Sequence, residues 1–322
     1  SDSLGKVTAT ATTNGAITLL KTDDVQDSHK SIVSSLDIEA IGFDASNKAT
    51  AMEAAGEGHT VTNDGAITVN EFAVGLSAGA GATAVNNADK TITVNSGGEN
   101  ARTSIGMSAA TENGKTTTLT NNGIIDVKNG SGISVTGKGD TKIAFGEAGK
   151  MTVDDNDENR GIDISTEKSG TTTVTGANIE LAGAGTGIRA RGGNIKLEDI
   201  AIILTDATGG TGISYSGGTG EATASISTSD LDLSTNGETG ILAILSKLAD
   251  SKLDIETGSL TTGTGKTGIE ISGNSISDPG ASKQTAAEIK TTLGATAGTG
   301  VAVHGAAYND ITVNLQDLTT IA

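Results

Sequence analysis

Asp154-Asp155-Asn156-Asp157-Glu158-Asn159 places many side-chain oxygens on one turn, and oxygen is the ligand type that calcium prefers. The spacing of a calcium-binding loop is absent, however. Asn159 and Ser165 stand where a sixth-position glycine and a twelfth-position glutamate belong. The repeated Gly-Gly-x-Gly-x-Asp pattern of calcium-bound β-rolls is missing too. The stretch reads as a solvated acidic turn. Asp154, Asp155, Asp157 and Glu158 form a candidate cation group, while no metal or cofactor is expected and no ligand-binding residue is assigned.

Gly263-Thr264-Gly265-Lys266-Thr267-Gly268 matches GxGxxG and ends like a phosphate-binding loop. A P-loop needs glycine at position 260, where Leu260 sits. The same Thr-Gly-Ile step recurs at Thr186, Thr211 and Thr239, so repetition already accounts for it. His29, His59 and His304 lie far apart, with no nucleophile elbow and no His-Glu-x-x-His. A polysaccharide-cleaving solenoid needs carboxylates clustered on one strand face. Here Asp37, Asp163, Glu180, Asp232, Glu256 and Glu270 read as scattered outward positions, although stacked coils bring carboxylates within side-chain reach. Thr116-Thr117-Thr118-Leu119-Thr120 and Thr171-Thr172-Thr173-Val174-Thr175 suggest an ice-binding array, but the repeat length varies too much for one. Lys138-Gly139-Asp140 resembles an integrin-type tripeptide at chance level. The expectation is a chain with no active site.

The totals narrow the partner classes. Net charge is −18, with 39 acidic against 21 basic residues, so phosphate backbones and anionic membrane surfaces are repelled. Such charge keeps an extended, edge-rich protein soluble. No cysteine occurs, which excludes disulfides and thiol chemistry. Aromatics are 2% of residues: Phe43, Phe72, Phe145, Tyr215 and Tyr308. The core must be aliphatic, and a sugar-binding aromatic platform is not expected.

What positions these residues is a repeat. The tetrad glycine, bulky apolar, any residue, apolar-or-alanine occurs ten times. It runs from Gly42-Phe43-Asp44-Ala45 and Gly75-Leu76-Ser77-Ala78 to Gly268-Ile269-Glu270-Ile271 and Gly300-Val301-Ala302-Val303. Successive glycines lie 33, 31, 26, 29, 26, 25, 28, 28 and 32 residues apart, the range of a solenoid. Within residues 176–204, Ile179/Leu181, Ile188/Ala190 and Ile195/Leu197 form three short runs of period two, split by Gly, Asn and Thr turns. The pattern predicts an all-β, right-handed parallel β-helix of about ten coils, three short strands each. At about 4.8 Å per strand the rod is roughly 45–50 Å long.

Residues 1–322 read as a single β-helix segment with insertions near 21–35, 84–102 and 274–290. A lengthened turn is expected over Ala84–Arg102 and a short helix over Gln284–Lys290. A helical turn or apolar patch is expected over Ile241–Leu248. Ile311-Thr312-Val313 still reads as strand, so the chain is expected to be an internal piece of a longer fibre.

Asn63-Asp64-Gly65-Ala66-Ile67 and Asn122-Gly123-Ile124-Ile125-Asp126-Val127, followed by Gly132-Ile133, resemble the passenger repeats of type V autotransporters. The long fusobacterial-type outer-membrane adhesins are the most similar of these. The resemblance covers nearly the whole chain and implies an extracellular rod on a Gram-negative cell surface, joined to a C-terminal outer-membrane β-barrel that supplies its membrane attachment. It implies adhesion to host cells, other bacteria or matrix through a surface protein or glycan, with self-association between rods as a further partner class. No family binding residue can be transferred. The runner-up reading is a β-helix polysaccharide lyase, hydrolase or tailspike-like fibre, and a third is a pure spacer.

Overall fold

Ile, Val and Leu alternate with Thr, Ser and charged residues along each short run, so one side of every strand must be buried. Coil stacking satisfies that demand. The computed structural model describes residues 6–13, 15–22, 30–96, 103–167, 169–205, 209–217, 223–233, 238–245, 252–272, 286–296, 298–304 and 310–316. They form a parallel β-solenoid in which every pairing between strands is parallel and each strand pairs with its counterpart one coil away. Among the described residues no helix is long and apolar enough to cross a membrane.

The first face is an unbroken stack of eleven strands, from Ile17–Lys21 through Arg160–Thr166 to Thr299–His304. That is close to the ten coils expected. The second face runs from Ser31–Ser34 through Thr116–Asn121 to Thr171–Thr175. The third runs from Val7–Thr10 through Ile67–Asn70 to Asn178–Leu181. The next strand, Asn194–Leu204, joins these two faces. Its first half pairs with Thr171–Thr175 and its second half with Asn178–Leu181. Asp199, at φ 53°, turns the corner between the halves. Thr223–Leu233, Lys252–Thr262 and Ala286–Thr296 continue the long form. Three short strands per coil therefore become one short and one long, a change the tetrad does not signal.

Inside, identical positions pile up. Met52, Leu76, Met107, Ile133, Ile162, Ile188, Ile213, Ile241 and Ile269 form one row behind the first face, all fully buried. Ile38, Ile67, Ile92, Ile125, Met151 and Ile179 form its equivalent behind the third. This dry aliphatic column supplies the burial that the missing rings do not.

The tetrad glycine has a specific reason. A methyl on Gly75 would lie 2.5 Å from the carbonyl oxygen of Gly106, and one on Gly106 would lie 2.6 Å from that of Gly132. The clash repeats at Gly132, Gly161, Gly187 and Gly212, each against the next glycine in the column. Neighbouring coils approach so closely there that a side chain has no room. Gly42 is outside this column. It lies in the turn before Ala49–Ala54, and the residue in register with Gly75 is Ala51. Gly42 meets a different neighbour, since its methyl would lie 2.4 Å from the Phe72 carbonyl oxygen.

Three local expectations are corrected. Ala286–Thr296 is strand, so the residues from 286 to Lys290 are not helical; cross-coil pairing with Lys252–Thr262 outweighs the helix-favouring Ala-Ala-Glu run. Ala84–Arg102 is not one long turn, because it holds parts of two regular strands, Thr83–Asn86 and Thr91–Asn95. Its last residues, 97–102, lie outside the described residues. Thr239–Ile244 is a first-face strand rather than a helical turn, with Leu242 and Ile244 turned outward; residues 246–250 lie outside the description. Residues 23–29 of the 21–35 insertion, with His29, and 274–285 of the 274–290 insertion, with Pro279, also lie outside it, while Ser31–Ser34 is a regular second-face strand.

Candidate functional site

The acidic turn is built into the coil rather than gathered around a point. Asp155 Oδ1 accepts the Ala184 amide of the next coil at 2.9 Å. Asp154 Oδ2 faces Lys128 Nζ at 3.4 Å. The Asp157 carbonyl accepts Arg160 at 2.7 Å, and Asn156 Oδ1 accepts the Glu158 amide at 2.9 Å. Its oxygens thus point to separate partners. Among the described residues no three His, Asp or Glu side chains are placed to share a metal ion.

The charged rows of the third face link coil to coil. Asp126 accepts Thr152 Oγ1 at 2.8 Å and faces Lys128 at 3.2 Å, while Lys150 meets Glu180 at 2.5 Å. The bond to Asp126, then its charge, raises the Lys128 pKa. Asp126, Lys128, Thr152 and Glu180 line a depression of about 220 Å³. On the second face Asp254 stacks directly on Glu288, bringing two carboxylates onto adjacent coils. Lys252 bonds Asp254 at 2.8 Å, and Lys290 lies 3.6 Å from Glu288.

The first face carries little net charge. Its strands hold three carboxylates (Glu53, Asp163, Glu270) against four Lys and Arg residues (Lys21, Arg160, Arg189, Arg191) and His304. Each carboxylate faces a basic side chain or an imidazole on an adjacent coil. Lys21 meets Glu53 at 3.0 Å, Arg189 grips Asp163 through both carboxylate oxygens, and His304 lies 3.6 Å from Glu270. In a chain of net charge −18 this face is close to neutral. Thr186, Thr211, Thr239, Thr267 and Thr299 stack directly along it. Gly263–Gly268 belongs to the same repeat, with Thr267 in that row and Gly268 in the glycine column.

The remaining sequence candidates are dispersed. His59 is buried, with Nδ1 2.9 Å from Thr22 Oγ1. Asp140 accepts the Thr171 amide at 2.9 Å, which ties the Lys-Gly-Asp tripeptide to the next coil. Asp37 accepts the Ala66 amide at 3.0 Å. The eight threonines of the two Thr-rich runs do not make one array: Thr117 and Thr172 point inward, and Lys142 separates Thr118 from Thr173 in the outward row.

Two arrangements had escaped sequence reasoning. One is an internal amide ladder. Asn63, Asn86 and Asn121 are fully buried and bond in series, each Nδ2 donating to the next Oδ1 at 2.9 Å. The Asn-x-Gly context of Asn63 and Asn121 is the available signal, although Asn86 lacks it and the stacked residue is Asn121 and not Asn122. The other is a corner where the third face passes to the first. Phe43 is 49% exposed. Phe72, half-buried, occupies the same corner of the next coil, and the Gly42 amide donates to the Glu71 carbonyl at 2.8 Å. Glu71 and Phe72 both have φ 38°, left-handed for two successive side-chain-bearing residues. Such a conformation costs about 1–3 kcal/mol per residue and persists where the surroundings impose it. The Phe72 amide is held by Thr103 Oγ1 at 3.2 Å. Beside it Asp44 accepts the Ser46 and Asn47 amides, both at 2.8 Å, and those bonds, with the Asn47 side chain first, lower its pKa.

No protein-family model, curated protein or solved structure matches the chain.

Proposed function

We propose that this chain is a segment of an extracellular adhesive rod on a bacterial surface, an autotransporter-type passenger that attaches to a surface protein or glycan without catalysis. The carrying observation is the unbroken eleven-strand first face, near-neutral on a strongly acidic molecule. The first face offers a long strip of Ser and Thr hydroxyls, with Glu53 and Asp163 already paired to Lys21 and Arg189, so a partner there meets little net charge. Cross-coil pairs and close glycine contacts favour a stiff scaffold that holds this strip away from the cell.

The test is attachment of fluorescently labelled chain to epithelial cells and to Gram-negative bacteria. Saturable attachment that falls when Ser108 and Ser134 are replaced by glutamate supports the reading; attachment indifferent to those changes refutes the first-face assignment. One observation favours a second reading, a polysaccharide-cleaving β-helix: the stacked Asp254 and Glu288. Chain cleavage abolished by Asp254→Asn would replace the adhesive proposal.

A further inference from the structure

We propose that Asn113 is a site of spontaneous deamidation, converted to aspartate and isoaspartate in the folded rod while its sister Asn-Gly pairs are protected. This chemistry is independent of the adhesive reading. Asn-Gly occurs three times among the described residues, at Asn113-Gly114, Asn122-Gly123 and Asn129-Gly130. Glycine carries no side chain to shield its amide nitrogen from the preceding carboxamide. Sequence alone treats the three pairs alike, and structure separates them.

Asn113 and Gly114 sit at the tip of a turn between the strands Ile105–Thr111 and Thr116–Asn121. The Lys115 amide donates to the Glu112 carbonyl at 3.1 Å and Gly114 has φ 78°, which closes the turn. Both tip residues are exposed, and a methyl on Gly114 would meet nothing within 4 Å. Neither the Asn113 carboxamide nor the Gly114 amide has a hydrogen-bond partner among the described residues. The carboxamide is therefore free to swing onto its neighbour's nitrogen without breaking a contact.

The other two pairs lack that freedom. Asn129 Nδ2 donates to the Ser96 carbonyl at 2.7 Å, and the Gly130 amide donates to Asn159 Oδ1 at 2.9 Å. Both reacting groups are occupied there. Gly123 is buried, and a methyl on it would lie 2.2 Å from the Lys90 carbonyl oxygen. Asn122 Oδ1 packs so tightly on Gly146 that a methyl there would lie 2.3 Å away. Reaction at either pair requires the coil to open locally.

The step consumes only water. The Gly114 nitrogen gives its proton to hydroxide and bonds to Asn113 Cγ, the Cγ–Nδ2 bond breaks, and the departing nitrogen takes a proton from water to leave as ammonia. Water then opens the cyclic imide. Breaking the new N–Cγ bond yields aspartate, and breaking the original peptide C–N bond yields isoaspartate; nothing is oxidised or reduced. Either product adds a negative charge beside Lys115, which already faces Glu57 at 3.9 Å and Glu112 at 3.6 Å. No strand residue changes, so an aged rod keeps its coils and carries a more acidic corner.

Peptide mapping by mass spectrometry, on the whole chain held folded at mildly alkaline pH, tests this. Asn113 should convert at least about tenfold faster than Asn122 and Asn129, the ratio that roughly 1.4 kcal/mol of local opening represents. In concentrated urea, where the turn and the two locked pairs are all released, the three rates should converge. Comparable rates at the three sites in the folded chain would overturn the assignment. A preference for Asn113 that persists unchanged in urea would overturn it as well, by tracing selectivity to the neighbouring residue types instead of the fold.

Discussion

Replacing Gly161 by alanine tests the contact that defines the repeat. The new methyl would lie 2.4 Å from the Gly187 carbonyl oxygen and 3.1 Å from Met151 Sδ. A carbon-to-oxygen contact of this kind needs about 3.3 Å, so the two rungs must separate by roughly 0.9 Å. That stretches the flanking backbone hydrogen bonds beyond useful length. Overpacking costs about 1–3 kcal/mol and each weakened bond about 1 kcal/mol, giving a total near 3–4 kcal/mol. The column does carry a methyl at Ala51, so a coil can open to admit one; the expected result is destabilisation and not failure to fold. Urea unfolding followed by circular dichroism measures the cost. Gly114→Ala is the comparison, because Gly114 has φ 78° and nothing within 4 Å of its added methyl. Backbone strain alone costs about 1–2 kcal/mol there. A Gly161→Ala penalty no larger than that of Gly114→Ala would refute close coil approach as the reason for the glycine. A reduced unfolding slope would show the solenoid parting at that rung.

Asn86→Leu removes the middle of the amide ladder and leaves Asn121 Oδ1 without its donor; a loss of about 2 kcal/mol in urea is expected, and an unchanged midpoint would show the ladder contributes nothing net. Burial pushes the Tyr215 phenol up to about 12 from 10.0. The folded form therefore holds its proton longer than the unfolded one. Stability is fully present below pH 10 and declines between pH 10 and about 12, by about 3 kcal/mol at completion. Urea midpoints in Tyr215→Phe should lack this alkaline decline. Arg189→Met breaks the two-point grip on Asp163 across coils, where both side chains are under one-fifth exposed; about 2 kcal/mol is expected to be lost, and a loss that vanishes in 1 M salt would show the pair is no more than a screened surface bridge.

The sequence made the solenoid legible because coil packing imposes one requirement many times. Ile133, Ile162, Ile188 and Ile213 occupy equivalent positions, and each follows a glycine that the next carbonyl forces. The rows of Asp126, Thr152 and Glu180 were less legible, since outward positions carry no constraint that repeats. Gly42 was misplaced in the column because tetrad spelling cannot distinguish a glycine facing Gly106-type carbonyls from one facing Phe72. The run from Ala286 misled for a related reason. Its local composition favours helix, and only the pairing of Glu288 with Asp254 and Ile289 with Ile255 on the preceding coil reverses that preference.

The same economy sets the Glu71–Phe72 corner apart from the flat rows. Backbone groups along the strands are satisfied coil to coil, so an outward side chain can change without touching the fold. Asp163 and Arg189, or Lys150 and Glu180, spend their charge on each other and hold neighbouring rungs together. Glu71 and Phe72 do the opposite, because they weaken the coil that contains them. The turn is held from within, because the Gly42 amide donates to the Glu71 carbonyl and Thr103 Oγ1 accepts the Phe72 amide. Glu71→Gly should therefore raise stability in urea by about 1 kcal/mol. Equal stability would show that the left-handed turn carries no strain.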